Sequence, residues 1–373
     1  MSYKMVIKGG YGLTNFGDDA LMHVLAFKLR PYFEDNEVAF ACYDNEYNQK
    51  LSHGFCIEAV QYFKAIETDL LLFGGGTQFY SFLPERSKTR KTLSLVKQFL
   101  KSPKRFAMLR QSAGYKHMAA IGIGVGPFLE KADPTPEINA KQLFSEMSYI
   151  AARDTESYKE MGEWGLSEAK LYSDICYLSN LEISNTSNSI HRIGIVVRDW
   201  IHTVEGKAYY DKIIPLVSEL EKKGYEVTLI MFAKQPDTYW NSKKSDFIRV
   251  LEWNPDSSTI EEFIEQLSSF DLFVTARYHG AVFASLLNIP FVSMVIEQKL
   301  ALVSDIYKDC SKKWEYPFNV NDCLNSISDI DANYISIKKQ IQLTTNLQKE
   351  KAKQMFSDFL HFCKSIHILE GDK

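Results

Sequence analysis

A guanidinium, an imidazole and a glycine fall together at Arg277-Tyr278-His279-Gly280, where an apolar run over residues 272 to 276 gives way to helically spaced apolar residues from Ala281 to Leu287. The run reads as a parallel strand covered on both faces. Arg277 and His279 then sit at a strand's carboxyl end, the place where open α/β sheets bind ligands. Guanidinium groups hold phosphate and carboxylate oxygens bidentately, and the amides opening the next helix favour an anion beside them. Gly280 leaves room for close backbone approach, and a histidine is the usual proton donor near neutral pH. Phosphate or carboxylate is the natural guest beside such a proton donor. Taken alone, the four residues also fit a histidine satisfied by backbone in a turn and an arginine paired to an acid.

Other segments place similar groups at strand ends. The first strand runs into Gly9-Gly10-Tyr11-Gly12-Leu13-Thr14-Asn15-Phe16-Gly17-Asp18-Asp19. Its glycines permit a tight turn and close approach of a ligand, and Asp18 is placed to cap the following helix. Asp19 is then free to face a cleft and polarise a sugar hydroxyl. The spacing departs from a dinucleotide fingerprint, and carboxylates at a helix start repel a pyrophosphate. Asp69–Phe73 delivers a buried strand into Gly74-Gly75-Gly76, whose backbone entropy cost points to close approach of a ligand rather than a plain turn. Gly122, Gly124 and Gly126 alternate along another strand, which fits either crowding at a cleft or helix–sheet packing. Arg153 follows Tyr149–Ala152 and Arg198 follows Arg192–Val197; for Arg153 a structural pair with Asp174 is the alternative. With Arg277 and His279 they all fall at carboxyl ends of expected parallel strands, so we expect them to converge on one interdomain cleft.

The elements that must position these groups alternate strand-like and amphipathic runs, which predicts parallel sheets with helices on both faces. A first series comprises strands at Lys4–Lys8, Glu37–Tyr43, Asp69–Phe73, His117–Val125, Tyr149–Ala152 and Lys170–Ser173. Its helices fall at Asp18–Phe33, Thr92–Gln98 and Pro136–Met147. Residues 179–189 are small and polar and form the expected linker. A second series has strands at Arg192–Val197, Tyr225–Phe232 and Phe291–Val295 and helices at Ala208–Lys222 and Thr259–Leu267, besides the Arg277 unit. The fold class is therefore α/β, with two Rossmann-like parallel-sheet domains at 1–178 and 190–333 facing a cleft. A C-terminal helix over 334–373 follows, its end expected to pack back on the first domain.

Composition bounds the function. The chain of 373 residues is 45% hydrophobic and 24% charged with a net charge of −4, enough for two full cores and without the basic footprint that nucleic acid requires. The six cysteines show no metal-ligand spacing and read as free cytosolic thiols. No stretch approaches the roughly 18 apolar residues of a spanning helix, and the first residues lack a secretory signal. The expectation is a cytoplasmic protein, compatible with peripheral contact at the inner membrane surface.

The ordered set Asn15-Phe-Gly-Asp-Asp19, Leu72-Phe-Gly-Gly-Gly76, Gly122-Ile-Gly-Val-Gly126, Ala152-Arg-Asp-Thr-Glu-Ser157 and Arg277-Tyr-His-Gly280, with Pro290 and Lys299, resembles the polysaccharide pyruvyl transferase family. Ser173-Asp-Ile-Cys176 departs from the family's Asp-Pro pair, and no aromatic precedes Lys299. The resemblance implies a GT-B-like fold and transfer of pyruvate from phosphoenolpyruvate onto two hydroxyls of a sugar, as a cyclic ketal. Arg277, Arg153 and Arg198 would then hold the donor, with Asn15, Gly75, Gly76, Gly280 and Lys299 at the substrates, His279 as general acid and Asp19 as proton acceptor. The arginines suffice for the donor anion, so neither metal nor cofactor is expected; the acceptor would be a lipid-linked or nucleotide-linked sugar. Two alternatives share this fold. One is a nucleotide-sugar glycosyltransferase, to which the spacing of Glu297 and Asp305 points, and the other a non-catalytic sugar-binding relative.

Overall fold

A computed structural model describes residues 2–42, 45–59, 67–82, 114–130, 132–181, 185–233 and 237–369. The helix expected at Thr92–Gln98 lies outside them. The chain divides into two compact units, and the division does not follow chain order: the first comprises Met1–Gly12, Asp18–Leu178 and Lys351–Lys373, the second Leu13–Gly17 and Ser179–Glu350.

The first unit is built on a seven-stranded parallel sheet of β1 (Ser2–Lys8), β2 (Val38–Cys42), β3 (Cys56–Ala59), β4 (Glu67–Ser81), β5 (Gly114–Phe128), β6 (Tyr149–Ala152) and β7 (Lys170–Leu171). Its spatial order is β3-β2-β1-β4-β5-β6-β7, so the direction of winding reverses between β1 and β4. All five residues of β2 are buried, as a strand covered on both faces requires. Phe73, Phe144, Met118, Ile150 and Met161 fill one core beneath the sheet. Among its described residues the helices are α1 (Phe16–Leu29), α2 (Glu46–Leu51), α3 (Thr135–Ser145) and α4 (Thr155–Glu163). α1 begins two residues before Asp18, which therefore lies with Asp19 inside the first turn rather than at the cap. Carboxylates in a first turn complement the helix dipole, so the acids still favour this helix start.

The second unit carries a six-stranded parallel sheet of β8 (Arg192–Val197), β9 (Glu226–Met231), β10 (Val250–Glu252), β11 (Leu272–Thr275), β12 (Phe291–Met294) and β13 (Ser311–Trp314). The order β10-β9-β8-β11-β12-β13 reverses between β8 and β11. Helices α5 (Val204–Ala208), α6 (Tyr210–Lys222), α7 (Thr238–Lys243), α8 (Ile260–Ser268), α9 (Tyr278–Leu286), α10 (Gln298–Ile306) and α11 (Val320–Ala332) surround it. The helix expected over Ala208–Lys222 runs over Tyr210–Lys222, and just before it the buried Tyr209 hydroxyl accepts from Arg198 N at 3.1 Å and from Trp240 Nε1 at 2.8 Å. In the polar run after 179, Asn185 and Ser187 are docked. Asn185 N donates to Leu287 O at 2.9 Å, and the buried Lys338 ammonium donates to the Asn185 and Ser187 carbonyl oxygens at 2.7 and 2.9 Å. The last helix, α12 (Tyr334–Ser365), contributes to the second unit up to Glu350 and to the first from Lys351. There the Tyr149 ring stacks on Phe362 at 5.3 Å, and Tyr172 bonds to Asp358.

Candidate active site

In the second unit the winding reverses between β8 and β11, and each of these strands delivers a cation: Arg198 directly follows β8, and Arg277 lies two residues beyond β11. A crevice outside the strand carboxyl ends at such a reversal is where open sheets take ligands. Arg277 occupies the N-cap position of α9 without capping it through its side chain. Its backbone is pinned instead by Thr275, whose Oγ1 accepts from Arg277 N at 3.1 Å and donates to Arg277 O at 3.0 Å. A β-carbon on Gly280 would lie 2.1 Å from that same hydroxyl, so the glycine is needed to seat Thr275. The guanidinium, nearly buried, donates through Nε to Val197 O at 3.0 Å, through one terminal nitrogen to Asn15 Oδ1 at 3.3 Å and through the other to Asp237. Five N–H groups are present on a guanidinium, which leaves one on each terminal nitrogen for a ligand.

The segment Asn15-Phe16-Gly17 belongs to this unit and explains itself residue by residue. Phe16 is fully buried among Phe232, Phe263, Phe283 and Trp253, with ring centroids 4.9, 4.7, 4.7 and 5.5 Å away. Its amide donates to Phe232 O at 2.8 Å. That anchor holds Asn15 against Arg277 on one side and Gly17 against His279 on the other. A β-carbon at Gly17 would stand 2.2 Å from His279 Nδ1, so no other residue leaves the imidazole where it is. Sequence reading assigned Asn15 and His279 to the site; it did not see that Phe16 and Gly17 fix them.

Beside Arg277 lies a second charge cluster. Arg198 pairs with Glu297 and stacks over the Trp200 ring at 4.3 Å, and Lys299 reaches the same carboxylate at 3.1 Å. Burial alone would raise the Glu297 pKa, but the charges of Arg198 and Lys299 outweigh it and hold the carboxyl below its ordinary value. Asp237 joins the two cation sites, accepting from Asp199 N at 2.9 Å with one oxygen while the other takes the Arg277 guanidinium. Arg198, Arg277 and Lys299 thus share one cluster with the carboxylates of Asp199, Asp237 and Glu297. Asp237, in the segment after β9, carries no sequence signal that marks it for the site. Asp305 bonds to Lys313 at 2.7 Å and is exposed, so its spacing from Glu297 creates no shared acidic pair.

In the first unit Arg153 is enclosed by acids and a hydroxyl: Asp154 at 3.3 Å, Asp174 at 3.4 Å and Thr77 Oγ1 at 2.7 Å. This is the paired alternative. Gly124 exists for it, since a β-carbon there would lie 2.8 Å from Arg153 Nε. Gly75 and Gly76 have φ of +82° and +74°, a conformation other residues rarely adopt. A side chain at Gly75 would also strike Ile175, whereas at Gly76 the nearest groups are Leu21 and the Asp18 carboxylate, at 3.5 and 3.6 Å. Asp18 is half-buried, but Asp19, expected to face a cleft, is completely buried. Tyr11 bonds to Gly74 O, and burial, followed by the charge of Asp18, pushes its hydroxyl well up, so it stays protonated as a donor.

The profile of the polysaccharide pyruvyl transferase family matches residues 15–297, from the Asn15 that holds Arg277 to the Glu297 that holds Arg198. The chain belongs to that family. Among curated proteins none matches it significantly. Solved structures of similar fold include Anabaena Alr3699/HepE in complex with UDP and glucose. It is 12% identical, aligned over 97% of this chain and 100% of its own, with a TM-score of 0.59. A putative UDP-N-acetylglucosamine 2-epimerase from Listeria monocytogenes is 10% identical over the whole of both chains, with a TM-score of 0.57. The UDP-GlcNAc 2-epimerase from Neisseria meningitidis is 11% identical over 97% of this chain and 100% of its own, also at 0.57. At such identities the likeness is one of fold, and it places this pyruvyl transferase family member among the GT-B-like proteins of two parallel-sheet units with a helical C-terminus. Among the described residues no helix is long and apolar enough to cross a membrane.

Proposed function

We propose that this chain transfers pyruvate from phosphoenolpyruvate to two hydroxyls of a sugar in a cell-surface polysaccharide or its precursor, forming a cyclic ketal and releasing phosphate. The observation that carries this reading is the placement of Arg277 and His279 at the reversal of the second sheet, each held by its neighbour in Asn15-Phe16-Gly17. Arg277, with Arg198 and Lys299 beside it, suits the donor's phosphate and carboxylate, because the Arg277 guanidinium keeps an N–H on each terminal nitrogen beyond its bonds to Val197, Asn15 and Asp237. Arg153 is already engaged by Asp154, Asp174 and Thr77, which supports a role in fixing its own strand end.

In this mechanism His279 delivers a proton to the donor's methylene carbon, and the carbon bearing the phosphate becomes electrophilic. One acceptor hydroxyl attacks it and loses its proton. The C–O bond to phosphate then breaks as the second hydroxyl adds. Of the two hydroxyl protons, one restores His279 and the other leaves with hydrogen phosphate, so the exchange balances. Asp19 is the carboxylate this reading proposes as acceptor of a hydroxyl proton. Lipid-linked and nucleotide-linked sugars both remain acceptor candidates.

The test is incubation with phosphoenolpyruvate and a panel of sugar acceptors, following phosphate and ketal. Phosphate release that depends on acceptor, with ketal in the product, is expected. Turnover of UDP-sugars without any use of phosphoenolpyruvate would replace this reading with glycosyl transfer.

A further inference from the structure

Away from the Arg277 site, the first unit has a groove of about 530 Å³ between the end of α1 and the last part of α12. Its floor is apolar, with Leu178 and Phe356 buried, and Tyr32 meets Phe356 edge-on at 6.2 Å. Its rim combines two aromatics that face solvent, Phe27 at 50% and Tyr32 at 45% exposure, with three cations, Lys28, Arg30 and Lys353. Among the described residues that line it there is no acid, and Arg30 pairs with Asp35 alongside. Burial, and then the charge of Lys353, hold Lys28 below its ordinary pKa, so the two ammonium groups are close enough to repel. In a chain of net charge −4 this is a local reversal of sign.

We propose that this groove is a docking surface for an anionic phospholipid membrane, with Phe27 and Tyr32 entering the interface and Lys28, Arg30 and Lys353 meeting the lipid phosphates. The combination is what decides among occupants. Exposed aromatics flanked by lysine and arginine suit the boundary between headgroups and acyl chains, where rings sit at headgroup depth and cations meet negative surface potential. A soluble anion alone would leave the apolar floor and the aromatic rim unused. The inference does not depend on the reading of the second unit's site.

The experiment is cosedimentation of the full chain with vesicles of phosphatidylcholine alone and of equal parts phosphatidylcholine and phosphatidylglycerol. Binding is expected only to the anionic vesicles, and it should weaken as salt shortens the screening length from about 10 Å at 0.1 M to about 3 Å at 1 M. Lys353→Gln, at an exposed position that leaves folding intact, should lower the partition coefficient roughly fivefold, and Lys28→Gln with Lys353→Gln roughly 25-fold. Phe27→Ser with Tyr32→Ser should weaken binding while melting as the wild type does. Equal binding to both vesicle types, no binding to either, or unchanged binding by Lys353→Gln would overturn the proposal. So would displacement by millimolar inorganic phosphate at constant ionic strength, which would mark a phosphate site. A concentration-dependent dimer in light scattering that Phe27→Ser abolishes would assign the groove to self-association instead.

Discussion

Replacing Gly17 by alanine tests the positioning of His279 without touching a polar group. The added carbon would stand 2.2 Å from Nδ1, 2.8 Å from Cγ and 3.0 Å from Cβ of His279. Restoring ordinary van der Waals contact requires the ring to retreat by about 1 Å, because the backbone of residue 17 is fixed by the Phe16 anchor. A displacement of about 1 Å in a reacting group costs on the order of 10²-fold in rate, and overpacking costs about 1 to 3 kcal/mol of stability. Gly17→Ala should therefore lower kcat on the order of 10²-fold in a phosphate-release assay while the affinity for phosphoenolpyruvate, measured by calorimetry, stays near wild type. The double variant with His279→Ala separates this cause from general damage. If Gly17 acts through the imidazole, adding Gly17→Ala to His279→Ala should cost nothing further in rate, and part of the lost stability should return because the ring is gone. Wild-type kcat in Gly17→Ala, or losses that simply add in the double variant, would refute the reasoning.

Arg277→Ala should weaken phosphoenolpyruvate binding by about 2 to 5 kcal/mol, since it removes one partner of a desolvated charge contact; calorimetry showing unchanged affinity would reduce Arg277 to a structural role. Phe16→Ala empties an aromatic cage and should destabilise the protein by about 3 to 5 kcal/mol in urea unfolding, and a loss under about 1 kcal/mol would show that the segment is anchored elsewhere. Glu297 has a lowered folded pKa, so its contribution is present above the ordinary glutamate value and is lost as pH falls through the folded one. The stability gap between wild type and Glu297→Gln should thus be full at neutral pH and close as pH drops below about 4.3; a gap that widens on acidification contradicts the pairing with Arg198 and Lys299.

Much of the fold was legible because buried parallel strands are apolar throughout. β1, β2, β8, β11 and β12 sit where their sequences place them, within a residue or two. The strands passed over, β3, β10 and β13, are all at sheet edges, where short polar strands such as Ser311-Lys-Lys-Trp314 discourage further pairing and so lose the apolar signal. At the site, Arg277, Arg198 and His279 could be found from type and position at strand ends. What fixes them could not. Phe16 and Gly17 act on residues more than two hundred positions away, and the use of Gly124 for Arg153 or Gly280 for Thr275 is a matter of three-dimensional crowding. A glycine in a sequence shows that a side chain is absent, not whether a ligand or a neighbouring residue takes the space.

The central claim is that His279 protonates a donor held by arginines, and the direct measurement is His279→Ala assayed in parallel for phosphoenolpyruvate binding and for acceptor-dependent phosphate release. Protonation belongs to the transition state and anion binding to the ground state. The account predicts that release is abolished while donor affinity changes little; a His279→Ala protein that still turns over at the wild-type rate would contradict it.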